Sequence, residues 1–268
     1  DATKWILDNL YFLTVGFKDF ISYVVLNPLE TLLAGSPWYV TVGMVVAIAL
    51  IISELRIAVL ALVLAMLIVI SGLWYESMIT LTQTIVGTLL TMFVGIALGI
   101  WTGRNERVER FLRPFLDAGQ TLPAFVYLVP MLGLFGPTRF TAIATGIVYA
   151  IPIVVKIVGE GIRSVPYSQV EAAMAAGSTT RQIITKVQLP AAKRTMLLAV
   201  NQGLIYVLAV VVIGGFVGAG GLGYLVIVGN SKPELQGKGL IAGLCILLLG
   251  VIFDRIMQSS ARTSAHRS

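Results

Sequence analysis

Long apolar runs broken by short polar clusters dominate the chain. Seven of them read as membrane-crossing helices: 38–53, 55–74, 79–101, 119–136, 139–158, 195–217 and 239–257. A helix needs about 20 mostly apolar residues to cross the hydrocarbon layer. The first and fourth runs are short or interrupted, and Glu54 with Arg56 marks a tight turn between the first two. Ahead of them, WILDNLYFLTVGFKDFISYVV sets Asp8, Lys18 and Asp19 among aromatic residues, a mixture that predicts a helix lying in the membrane interface. The pattern as a whole predicts an all-α membrane protein of about seven transmembrane helices preceded by an interfacial helix.

Composition agrees: of 268 residues, 57% are hydrophobic and 12% charged, against about 25% charged in a soluble domain. The net charge of +6 does not point to nucleic acid, because the basic residues are interleaved with apolar spans instead of gathering on one polar domain. Counted on alternate sides of the seven runs, 14 Lys and Arg fall on one side, among them Arg56, Arg104, Arg113 and Arg181. The other side has 5: Lys4, Lys18, Arg139, Lys232 and Lys238. The positive-inside rule makes the richer side cytoplasmic, which predicts the N-terminus outside and the C-terminus in the cytoplasm. No signal-peptide pattern opens the sequence, so insertion is expected to rely on the spans themselves. The one cysteine, Cys245, lies in an apolar run and reads as a small packed hydrophobe.

Within the runs, the third carries Gly87, Thr91, Gly95, Gly99 and Gly103 at every fourth position, a stripe that predicts close packing against another helix of the same chain. Gln120, Thr121, Asn201 and Gln202 are costly to expose to lipid, so they are expected to line a water-filled path or to bond between helices. Pro123, Pro130 and Pro152 free backbone carbonyls that protein or a cavity must satisfy. Charges sit at the ends of the runs, Asp117 and Glu160 included, unlike the buried acids or arginines expected of a secondary transporter or channel. An intramembrane enzyme would require a nucleophile with a base, or a metal cluster; the one histidine, His266, lies in a polar tail.

The most informative segment is EAAMAAGSTTRQIITKVQLP, residues 171–190. Ser168 followed by Glu171 forms the S-x-x-E pattern that predicts a capped helix start. Gly177 suits the left-handed residue that ends a helix, Thr179 with Gln182 repeats the capping pattern, and Pro190 is expected to stop the second helix. The first helix surrounds Val170 and Met174 with Ala172, Ala173, Ala175 and Ala176, a thin surface suited to entering a groove on another protein.

E-A-A, then Gly177, then VQLP resembles the signature loop of the permease subunits of binding-protein-dependent ABC importers. DAGQTLPAFVYLVP at 117–130, VNQGLIYVLAVVVIGGFVGAGGLG at 200–223 and GVIFDRIMQ at 250–258 resemble the glycine betaine/proline betaine branch of that family. The resemblance covers roughly residues 1–258.

That resemblance implies a type I permease core of five helices and a particular division of the chain. Residues 1–37 would be an external, interfacial segment, 38–75 two accessory spans, and 76–258 the core, with a cytoplasmic coupling loop at 160–194 and a tail at 259–268. It implies a homodimer, two ATPase subunits that bind ATP and Mg, and an external substrate-binding protein or domain. Val170, Glu171, Ala172, Ala173, Met174 and Gly177 would meet the ATPase, with Arg181 either pairing with an acid there or facing water. The chain has no G-x-x-x-x-G-K-[ST] phosphate loop, so no cofactor is expected on it and hydrolysis would fall to the partner. A betaine carries a quaternary ammonium that aromatic faces attract. Phe125, Tyr127, Tyr149, Tyr206 and Phe216 are therefore candidate path contacts beside Gln120, Thr121, Asn201 and Gln202.

Overall fold

The computed structural model describes the backbone of residues 14–266 and the side chains of residues 14–260. Asp8, Lys4 and the rest of residues 1–13 lie outside the described residues, as do the side chains of Arg262, His266 and Arg267. Every described element is helical.

In chain order the helices are α1 (Thr14–Ala34), α2 (Trp38–Ile52), α3 (Leu55–Ile70), α4 (Trp74–Arg104), α5 (Glu106–Thr121) and α6 (Ala124–Phe135). They continue as α7 (Arg139–Arg163), α8 (Tyr167–Ala175), α9 (180–191), α10 (Lys193–Ile213), α11 (Gly221–Ser231) and α12 (Gln236–His266). A π-helical turn, Ser22–Leu26, lies inside α1, and a second, Ile184–Gln188, lies inside α9.

Four of the seven expected runs, 79–101, 139–158, 195–217 and 239–257, fall on long single helices. By length and composition, four of the described helices can cross a membrane alone, Trp74–Arg104, Arg139–Arg163, Lys193–Val217 and Pro233–Ser260, or up to six if each of two bent pairs is one span. The expected run 38–53 becomes α2, whose 15 residues follow α1 after a bend of 107°. At about 1.5 Å per residue, α2 and the 16-residue α3 each reach about 22–24 Å, short of a ~30 Å hydrocarbon layer. The expected run 119–136 is not one helix. Leu122 is extended at φ −73°, ψ 134°, and α5 and α6 meet at 100°. Pro123 explains the break: its ring clashes with a helical conformation at the preceding residue. At the other end of the chain, α12 runs without interruption past residue 258 into the segment expected to be a tail.

The centre of the bundle is α4 packed on α7, with α10 against both. Gly87, Thr91, Gly95 and Gly99 are buried on one face of α4, while Leu89, Phe93 and Trp101 are exposed on the other. This places the small residues against protein and the large apolar ones outward, the arrangement that suits lipid-facing helices. A Cβ added at Gly99 would lie 2.5 Å from Val158 Cβ, so the two backbones approach as closely as glycine permits. The stripe therefore serves packing within the chain, as its spacing predicted. A second layer forms where Ala58, Ala61, Ala65 and Ile68 of α3 pack with Leu248, Leu249, Ile252 and Ile256 of α12.

Polar side chains of α4 tie down the glycine-rich turn after α10. Gln83 Nε2 donates to the Ala219 carbonyl at 2.8 Å, and Thr80 Oγ1 accepts from the Leu222 amide at 2.9 Å. Thr84 and Thr88 instead bond back to their own helix, to the Thr80 and Thr84 carbonyls at 2.7 Å each.

Candidate functional site: an exposed helical hairpin beside a polar and aromatic stripe

Residues 167–191 leave the bundle at the end of α7 and return to it at α10. Pro166 precedes α8 with φ −55° and ψ 128°, and Tyr167 is the first helical residue. The Ser168–Glu171 capping box is not formed: no side chain caps α8, because Pro166 takes the cap position two residues earlier and leaves Ser168 within the first turn. Glu171, Ala172 and Met174 are exposed, Val170 and Ala173 half-buried, and no residue of α8 is buried.

The turn after α8 follows its sequence. Gly177 has φ +77°, a conformation that other residues rarely adopt. Its amide donates to the Met174 carbonyl at 2.9 Å, and the Ser178 amide donates to the Ala173 carbonyl at 3.0 Å. These two bonds are the Schellman pattern, which satisfies the last carbonyls of α8. The Thr179–Gln182 capping box is also present, with the Thr179 amide donating to Gln182 Oε1 at 2.8 Å and the Gln182 amide donating back to Thr179 Oγ1 at 3.4 Å. Arg181 is exposed.

Pro190, expected to end α9, does not. It lies in the first turn of the segment Leu189–Ala191, directly after the π-helical turn, and the chain breaks only at Ala192, where φ is −86° and ψ 8°. The wider π turn realigns the carbonyls ahead of the proline, so its missing amide costs no bond there. Along α9 and the residue that ends it, Ile183, Gln188 and Ala192 are buried toward the bundle, and the Arg104 guanidinium donates to Gln188 Oε1.

Beside this hairpin, α7 presents a stripe at helical spacing: Tyr149, Lys156, Glu160 and Arg163. Lys156 Nζ pairs with Asp117 of α5 at 2.5 Å and donates to Gln120 Oε1. Arg163 pairs with Glu109 of α5 at 2.5 Å and with Glu160 at 3.1 Å. The hydrogen bond from Lys156 holds the Asp117 carboxyl below its ordinary carboxylate range, with the nearby Lys156 and Arg113 charges adding to this and partial desolvation opposing it. A cavity of about 350 Å³ between α5 and α7 is lined by these acids and bases together with Arg113.

Above the charges the stripe turns aromatic. Tyr149 meets Tyr127 of α6 at a centroid distance of 5.9 Å and Tyr206 of α10 at 5.5 Å, while Phe125 meets Phe216 edge-on at 5.7 Å. Gln120 and the tyrosines are thus brought together around the α5–α6 break. Thr121 is exposed, and its hydroxyl donates to the Ala118 carbonyl at 3.0 Å. Asn201 lies apart from this group: it is 5% exposed, and its Nδ2 donates to Asp254 Oδ1 on α12 at 3.0 Å. Gln202 is half-buried on α10.

Sequence reasoning passed over Arg104, Lys156, Arg163 and Asp254 as partners. The 7-, 4- and 3-residue spacing of Tyr149, Lys156, Glu160 and Arg163 was the available signal for one polar face.

Several helices long and apolar enough to cross a membrane, with an exposed, capped hairpin between two of them, define a multi-pass membrane protein. The chain belongs to the family described as the binding-protein-dependent transport system inner membrane component, which residues 95–264 match. It is 35% identical over 267 residues to the glycine betaine/proline betaine transport system permease protein ProW of Escherichia coli (strain K12), across 100% of this chain and 75% of that protein. It is 38% identical over 186 residues to the glycine betaine/carnitine transport permease protein GbuB of Listeria monocytogenes, across 69% of this chain and 66% of that one. Among solved structures, the inward-facing MetNI methionine ABC transporter aligns with a TM-score of 0.61 and 24% identity, over 73% of this chain and 96% of that one, and shares the fold. The chain is a multi-pass permease subunit of an ABC importer.

Proposed function

We propose that two copies of this chain form the translocation path of an importer for glycine betaine, proline betaine or a closely related quaternary amine such as carnitine or choline. Two partner ATPase subunits drive it, and an external binding protein or domain delivers the cargo. The observation that carries this reading is the α8–Gly177–α9 hairpin, exposed and fully capped at its turn, in a chain whose whole described length aligns with betaine permeases. ATP and Mg reside on the partner, since the sequence holds no phosphate loop of its own. The basic excess puts the hairpin and the C-terminus in the cytoplasm and the N-terminus outside, in a bacterial inner membrane.

In this reading Val170, Glu171, Ala172, Ala173, Met174, Gly177 and Arg181 form the ATPase contact. Closure of the ATPase pair draws the two hairpins together, and the differing free energy of that contact in the two ATPase states switches the path. Phe125, Tyr127, Tyr206, Gln120, Thr121 and Gln202 border the route, while Asn201 is tied to Asp254 on α12. The clustered rings of Tyr127, Tyr149 and Tyr206 offer faces that a quaternary ammonium would meet there.

The test is growth at high osmolarity of a bacterial host lacking its own betaine uptake, supplied with this chain, its ATPase and its binding protein. Glycine betaine should restore growth, and excess carnitine or choline should compete only if it shares the path. Failure of betaine, with rescue by another small amine, would move the substrate and keep the permease reading.

A further inference from the structure

We propose that the cleft between α10 and α12, at the ends nearest the hairpin, binds one membrane phospholipid whose headgroup joins a phosphate to a primary ammonium, as phosphatidylethanolamine does. The site is separate from the cargo route, because the quaternary nitrogen of a betaine has no hydrogen to donate.

The cleft encloses about 300 Å³ between α10, which contributes Arg194, Leu197, Leu198 and Asn201 among others, and Met257 and Gln258 of α12. Asn201 follows Arg194 by seven residues, two turns or about 10.5 Å along the axis, so the cleft runs inward from the charged start of α10.

Its inner end has incomplete hydrogen bonding. Asn201 Nδ2 donates to Asp254 Oδ1 at 3.0 Å, which fixes the amide, since the reverse orientation would set its oxygen against a carboxylate. Asn201 Oδ1 is then buried with no partner among the described residues. The half-buried Asp254 accepts from Gln258 Nε2 at 2.8 Å on each of its oxygens, but no lysine or arginine pairs with it among the described residues. A buried acceptor without a donor and a carboxylate without a countercharge are both costly away from water. One primary ammonium answers both: it brings a positive charge to Asp254 and an N–H to Asn201 Oδ1.

The surroundings match the rest of such a lipid. Arg194 is exposed at the rim, and its guanidinium offers the forked donors that hold a phosphate. Leu240, Leu244 and Leu247 are exposed at helical spacing on α12, and Asp254 continues their face seven residues after Leu247. Acyl chains can lie along that track while the ethanolamine arm turns into the cleft.

The test is native mass spectrometry of the chain in detergent, offered phosphatidylethanolamine together with its mono-, di- and trimethylated forms on identical acyl chains. Each methyl group removes one N–H and keeps the phosphate and the chains. Retention should fall along the series, with the trimethyl form, phosphatidylcholine, held about tenfold less well than phosphatidylethanolamine. Asp254→Asn should bring all four lipids to within about twofold of one another. Arg194→Gln, at an exposed position, should weaken all four alike and keep their order, whereas Lys193→Gln, which does not line the cleft, should change nothing. Equal retention along the series by the wild type, or an undiminished preference in Asp254→Asn, overturns the site. The series on the wild type needs no variant, so it decides even where Asp254→Asn fails to fold. Tighter binding of phosphatidylglycerol than of phosphatidylethanolamine also overturns the site, because general attraction of acidic lipid to basic residues would then account for the binding. Lipid retained on monomers but absent from dimers overturns it as well, since a second copy would then cover the cleft.

Discussion

Gln83 Nε2 lies 2.8 Å from the carbonyl oxygen of Ala219, joining the middle of α4 to the glycine-rich turn 136 residues later. Gln83 is 1% exposed and its Oε1 has no partner. Gln83→Leu removes the donor and the unpaired oxygen together but leaves the carbonyl of the buried Ala219 without its donor, so it should cost about 1–3 kcal/mol. Gln83→Glu is almost the same size but turns a carboxylate toward the Ala219 carbonyl, and should lower the melting temperature in detergent far more than Gln83→Leu. The reverse order would show that the bond does not hold the turn.

The α4–α7 contact sets a second expectation. Gly99→Val drives a side chain into Val158, and overpacking of this kind costs about 1–3 kcal/mol or more. Gly43→Ala on α2, where nothing lies within 4 Å of an added Cβ, should leave yield unchanged. Size-exclusion profiles of the two variants provide the comparison, with the Gly99 variant losing most of its monodisperse peak.

Gly177 allows function to be separated from folding. Its φ of +77° costs a β-branched residue about 1–2 kcal/mol, yet the turn lies outside the apolar core. Gly177→Val should therefore express and purify like the wild type while uptake falls at least tenfold. Gly177→Asn, which tolerates the left-handed region, should keep a substantial part of it.

Acid should act at the α5–α7 joint. The folded pKa of Asp117 is depressed, so its contribution is complete above the ordinary carboxylate value of about 3.9 and is lost as pH falls through the lower folded value. A spin label at Phe115→Cys should keep its line shape from pH 8 to pH 5 and loosen only below about pH 4. Loosening already between pH 7 and pH 5 would mean that another group controls the joint.

Local signals explain what the sequence revealed. Gly177 and the Thr179–Gln182 box involve neighbours within a few residues, so their chemistry decides their geometry. Ser168 misled because Pro166, two residues earlier, competes for the same helix start and wins by its fixed φ. The run 119–136 reads as an interrupted span, but hydropathy gives no angle for the interruption: the sharp bend comes from the steric effect of Pro123 on Leu122. The Arg104–Gln188 contact joins residues 84 apart, and Lys156–Asp117 bridges two helices. Such pairs depend on how helices pack, which hydrophobic periodicity does not encode. Asn201 shows the same limit: its partner Asp254 comes from the last helix, so composition left both a path and an interhelical bond open.

The most direct measurement of the central claim is uptake of labelled glycine betaine into proteoliposomes containing this chain, its ATPase and its binding protein, with ATP or ADP on the ATPase side. The account predicts accumulation with ATP, none with ADP, and loss of accumulation in Gly177→Val while the ATPase remains bound. Equal uptake with ATP and ADP, or full accumulation by Gly177→Val, would contradict it.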